Sequence, residues 1–168
     1  MSSTLIAGNM KAVVIYYSYE ENCALIADKV AAALKADVFR IRTVDTKKRE
    51  GFAKYVWGGS QVLFRKKPAL QPLTVDIQAY DLVVLGSPVW AGSPAAPVFS
   101  FLSDKKITGK KIALFCTYAG NTGKVFEKLK VMLPGNDFAG EIGFADPAKK
   151  EIPGLDRTIG KWVSSLGV

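Results

Sequence analysis

Three stretches of the chain carry residue types suited to holding a small, flat, negatively charged ligand. The first is Ser18, Tyr19, Glu20, Glu21, Asn22 and Cys23, which follow the apolar run Ala12-Val13-Val14-Ile15-Tyr16-Tyr17. A helix starting there would present unpaired backbone N–H groups and a partial positive charge, a seat for an anion. Ser18 can add a hydroxyl and Asn22 an amide. Glu20 and Glu21 carry the wrong sign for a phosphate and are expected to face solvent. The second stretch is Ser87, Pro88, Val89, Trp90, Ala91 and Gly92, after the run Asp81 to Gly86. Pro88 would stiffen a turn, Trp90 offers a flat apolar face and glycine lets backbone approach, a combination that suits a planar heteroaromatic ring. The third is Thr117, Tyr118, Ala119, Gly120, Asn121, Thr122 and Gly123, where Tyr118 can stack on a ring opposite Trp90 and backbone amides can bond a heterocycle's edge. Each stretch also has a plain structural reading. Carboxylates stabilise a first helical turn without any ligand, and Gly, Pro, Asn and a packing Trp make ordinary turns.

Other chemistries are narrowed by composition. The 168 residues include no histidine, which removes the usual zinc sites and histidine-based acid–base or triad chemistry. Two cysteines make neither a disulfide framework nor a metal cluster. Cys23 reads either as a reactive thiol favoured by a helix N-terminus or as a small packing residue; Cys116, ending an apolar run, reads as core. The formal charge of +8 comes from short clusters such as Lys47-Lys48-Arg49, Arg65-Lys66-Lys67 and Lys149-Lys150. Scattered clusters read as solvated helix ends rather than a nucleic-acid face, though a basic surface favours acidic partners or anionic ligands. No apolar run reaches the ~20 residues needed to cross a bilayer, and the opening residues lack a basic, apolar signal pattern. A cytoplasmic location is expected, with residues 1–10 as a flexible extension and 11–168 as one domain.

The elements that must position the three stretches follow from periodicity. Ala12 to Tyr17, Asp81 to Gly86 and Lys111 to Cys116 lack polar alternation and read as strands buried on both faces. Asp37 to Arg42 alternates and suits a sheet edge, and Phe138 to Phe144 reads as a shorter strand. Helices are predicted after Asn22, which can cap the first; over Gly51 to Lys67, with a break possible at Gly58-Gly59; after Pro94 and Pro97, with Val98, Phe99, Phe101 and Leu102 buried; over Gly123 to Leu133; and around Ile159, Trp162, Val163 and Leu166. Alternating strands and helices imply an α/β fold, a doubly wound five-stranded parallel sheet of order 2-1-3-4-5. In that order the loops 18–23, 87–92 and 117–123 meet at one carboxyl edge, beside the switch point.

With the loops so placed, the chain from about Met10 onward resembles the flavodoxin-like family, particularly its small stand-alone members. The likeness rests on Tyr16-Tyr17-Ser18, Gly58-Gly59, Asp81 to Gly92, and Gly109 to Thr117. It implies a flavodoxin-like three-layer sandwich that binds FMN without a covalent bond and shuttles one or two electrons. Carried over, it implies Ser18, Asn22 and Cys23 at the phosphate, Pro88 to Gly92 on one side of the flavin and Thr117 to Gly120 on the other. The family's first loop usually reads Ser-x-Thr-Gly-Asn-Thr; here Glu20, Glu21 and Cys23 stand for the first Thr, the Gly and the last Thr. Many flavodoxins are markedly acidic, so a +8 member implies a different redox partner protein, one with an acidic docking face. The readings that remain are an FMN electron carrier, an FMN-dependent NAD(P)H:quinone-type reductase, and a flavodoxin-fold module that has lost flavin.

Overall fold

Val13, Ile15 and Tyr17 of strand β1 (Ala12–Tyr17) face one layer of the molecule, and Val14 and Tyr16 face the other. That is the arrangement an apolar run without alternation demands, and it puts β1 inside the sheet. The computed structural model describes residues 9–168, so the expected extension lies outside the described residues apart from Asn9 and Met10. β1 pairs in parallel with β2 (Asp37–Ile41) and β3 (Leu82–Trp90); β3 continues to β5 (Lys111–Tyr118), and β5 to β6 (Asp137–Ala145). A two-residue strand, β4 (Ser93–Pro94), folds back antiparallel on β3. The order β2-β1-β3-β5-β6 is the expected doubly wound order, with β4 raising the count by one.

Helices α1 (Asn22–Leu34) and α5 (Leu155–Ser165) cover one face, where Ile26, Val30, Ile159 and Trp162 join the core. Helices α3 (Ala96–Asp104) and α4 (Val125–Met132) cover the other through Val98, Phe101, Val125 and Leu129. Helix α2 (Phe52–Leu63) touches the end of β3 and α3, and buries only Gly58.

Several expectations are corrected. β3 runs on to Trp90, so residues 87–90 are strand and the turn is Ala91-Gly92, both at positive φ. β1 stops pairing at Gly86, which leaves Ser87 and Pro88 paired with β5 alone, and a one-sided strand tolerates proline. β5 likewise extends through Tyr118. α2 passes through Gly58-Gly59 unbroken. Phe99 is only partly buried, at the edge of a groove. Asn22 is not a cap: Glu21 holds the N-cap position, and the side-chain oxygen accepting from the first turn belongs to Ser18, bonded by Ala24 N–H at 3.3 Å.

Candidate functional site

The loop from Ser18 to Cys23 turns on Glu21, whose φ of +64° is left-handed. A non-glycine residue there costs roughly 1–2 kcal/mol. Part of the offset is visible: Arg40 of β2 grips both Glu21 carboxylate oxygens, at 2.6 and 3.1 Å, and donates to the Ser18 carbonyl at 3.0 Å. The Arg40 bond holds the Glu21 carboxyl below its usual pKa and directs it toward β2. Among the described residues, the backbone N–H groups of Glu20, Glu21, Asn22 and Cys23 reach no protein acceptor. Four unbonded donors at a helix start are the makings of an anion seat, and the Glu21 carboxylate is turned away from them toward Arg40.

Glu20 does not face solvent as expected. Its carboxylate is partly buried between Lys54 of α2 and Lys149 of the turn after β6, the latter at 2.7 Å. Burial raises its pKa, but the two ammonium hydrogen bonds outweigh this and leave it below the usual carboxylate range. Two cations from distant parts of the chain are what make that partial burial tolerable. Asn22 Oδ1 accepts from Ala148 N–H at 2.8 Å, tying the same turn to α1.

Cys23 is fully buried, its Sγ 3.0 Å from Thr117 Oγ1. Burial pushes its thiol pKa up to about 12, so it stays protonated and the packing reading replaces the reactive one. Its side chain is spent on Thr117, and its N–H is unbonded among the described residues. Cys116 is also buried, with its thiol pushed up to about 12.

A cavity of about 120 Å³ lies where the three stretches meet. Tyr19, Glu20 and Asn22 line it from the first, Pro88, Val89, Trp90 and Ala91 from the second, and Thr117, Tyr118 and Ala119 from the third. Ser18, Glu21, Cys23, Gly92 and Gly120 do not line it. α2 roofs the cavity through Lys54, Tyr55, Trp57 and Gly58-Gly59, none of them among the site residues expected from the sequence. Trp57 stands 5.2 Å from Trp90 and 5.7 Å from Tyr19 between ring centroids, and Arg49 lies over its outer face at 4.3 Å. A Cβ on Gly58 would sit 3.5 Å from the Trp90 ring, so a longer side chain would press into the indole. Two consecutive glycines inside a helix, next to a tryptophan, were the available signal for that contact. The other wall is stiff. A Cβ on Gly123 would lie 2.5 Å from Gly92 Cα, and Lys124 N–H donates to Gly92 O at 2.9 Å. The arrangement sets a helix start with unbonded N–H groups beside four aromatic rings, Tyr19, Trp57, Trp90 and Tyr118.

A family model described as Flavodoxin matches residues 11–152. Among solved structures, a flavoprotein in complex with FMN from Lactobacillus acidophilus shares 24% identity at a TM-score of 0.72, covering 91% of this chain and 98% of that one. A Fusobacterium nucleatum flavodoxin bound to flavin mononucleotide shares 12% at 0.60, covering 94% and 97%. A flavodoxin, WrbA-like protein from Agrobacterium tumefaciens shares 14% at 0.59, covering 94% and 96%. At these identities the likeness speaks for the fold. No curated protein sequence matches the chain.

Proposed function

Because this chain belongs to the flavodoxin family, we propose that it binds FMN at the rim between β1, β3 and β5 and carries electrons to a partner protein. The observation that carries the reading is that the start of α1, with four N–H groups unbonded among the described residues, adjoins an aromatic slot whose cavity Glu20 and Asn22 line. When bound, FMN supplies one- and two-electron chemistry. The chain's own part is to hold and shape. The N–H groups of Glu20 to Cys23 would receive the phosphate, with Lys54 and Lys149 close by on Glu20. Trp90 and Tyr118 would flank the ring, and the backbone of residues 117–120 would meet its polar edge.

The donor set fits the group, but the cavity is small. At about 120 Å³ it falls below the ~300 Å³ at which small-molecule pockets begin. Trp57 fills the space beside Trp90, so a ring enters only if α2 shifts. Of the α-helices it has the least to lose, since Gly58 is its one buried residue. The same filled slot, together with Glu20 held on both lysines, supports a second reading, a flavodoxin-fold module without flavin. One titration separates them. Under the FMN reading the protein quenches FMN fluorescence to saturation, and riboflavin, which lacks the phosphate, binds about tenfold more weakly or worse. No quenching at large excess of protein rejects FMN and leaves the module.

A further inference from the structure

A second concavity, about 560 Å³, lies between the end of α2, α3 and α4, and the cavity at the rim does not include it. Its floor is apolar, formed by the partly buried Val62, Phe99 and Met132, with Val131 at its edge. Its rim is basic: Arg65, Lys66, Lys67 and Lys128 stand against the single carboxylate of Glu127. None of these cations is ion-paired among the described residues. Arg65 is also held at an unusual backbone angle. Its N–H bonds Val62 O and the next N–H bonds Gln61 O, the hydrogen-bond pattern of a Schellman helix ending. The left-handed position of that ending is normally glycine, yet here arginine takes it at φ +49°.

Apolar area remains uncovered around the groove. Val131 is 81% exposed, and Leu63 and Phe64, between Val62 and Arg65, are 76% and 68% exposed. A small anion would leave those side chains wet. A flat lipid surface would leave the recessed floor uncovered. A second copy of the chain would bring the same excess of positive charge, +8 per molecule. What fits is a protruding segment with an apolar ridge flanked by carboxylates, as one helix face of an acidic protein supplies.

We propose that the groove between α2, α3 and α4 is the docking surface for an acidic partner protein that inserts such a segment. The surface adjoins the rim. Ser93 of the groove lies three residues from Trp90, and α2 lines both the groove and the cavity. The inference stands on the groove alone and does not need the flavin reading, because the test below is run with and without FMN.

The test selects random peptides displayed against the purified chain, then measures the winners by fluorescence anisotropy and backbone-amide NMR. The expected winners are acidic and amphipathic, and their shift perturbations centre on residues 61–67, 99–103 and 127–132. Their affinity falls about tenfold or more in Arg65→Glu/Lys128→Glu and in Val131→Asp, falls again in high salt, and is unchanged in Lys161→Glu on α5. Unchanged thermal midpoints show that the variants, all at exposed positions, remain folded. Winners without acidic excess, perturbations elsewhere, or affinity indifferent to the charge reversals would overturn the proposal. So would phosphatidylserine vesicles perturbing the groove while no peptide does. Groove binding without FMN quenching supports this surface and rejects the flavin reading; quenching without groove binding does the reverse.

Discussion

Helices α1 and α2 border the same cavity, yet α1 buries seven of its thirteen residues and α2 only Gly58 of its twelve. α1 is pressed onto the sheet by Ile26, Ala27 and Val30, with Cys23 locked to Thr117 beneath it. α2 hangs from Trp57, wedged among Tyr19, Trp90 and Arg49, and from the ion pair of Lys54 with Glu20. The contrast separates a wall whose position follows from burial from one whose position follows from a few contacts at the site. Such thinly buried elements are the ones that open first.

The contrast can be broken most forcefully by one methyl group in the sheet. A Cβ at Gly86 would lie 2.0 Å from the Phe115 ring, inside the core. Gly86→Ala should cost about 1–3 kcal/mol or more, read as a fall in the thermal midpoint by circular dichroism. An unchanged midpoint would mean that the fixed wall is not fixed. Next, Trp90→Ala should weaken FMN about tenfold in the fluorescence titration, through loss of a stacking face and its buried area. Equal affinity would take Trp90 out of the ring site. Gly59→Ala supplies the opposite limb of the comparison. A Cβ there meets nothing within 4 Å, so helix propensity alone predicts a gain of roughly 0.5–1 kcal/mol; a loss would show that α2 is packed more tightly than described.

The smallest effect concerns the tether. The Glu20 carboxyl is lowered in the folded state by Lys149 and Lys54 despite burial acting the other way. Its contribution is therefore present above its ordinary unfolded pKa and is lost as pH falls through the lowered value. The midpoint difference between the native chain and Glu20→Gln should be seen near neutral pH and vanish in acid below that value. A difference that persists in acid would assign the tether's effect to shape rather than charge.

The sheet was legible because its signal is local. Unalternated runs at Val13, Val83 and Ile112 mark buried strands, and connection lengths then leave few orders to choose from. The meeting of three strand ends at one cavity followed from that order alone. The contacts that hold the roof were not legible, since Lys54 reaches Glu20 across 34 positions and Lys149 across 129. No periodicity encodes such pairs. Pro88 misled because proline reads as a turn, and it is tolerated here only because β1 has already ended beside it. Asn22 misled because the left-handed Glu21 moves the helix start, handing the capping role to Ser18.

The close approach of Gly92 and Gly123 has a kinetic corollary. Two turns meet backbone to backbone and the α1 loop is tied to β5 through Cys23 and Thr117, so the elements behind the cavity are cross-braced where α2 is not. Under the proposed FMN reading the exit would lie past α2, and residence time would follow how often that helix lifts rather than how many contacts the flavin makes. The left-handed residues Gly51 and Arg65, just outside the two ends of the helix, are the natural pivots for that motion.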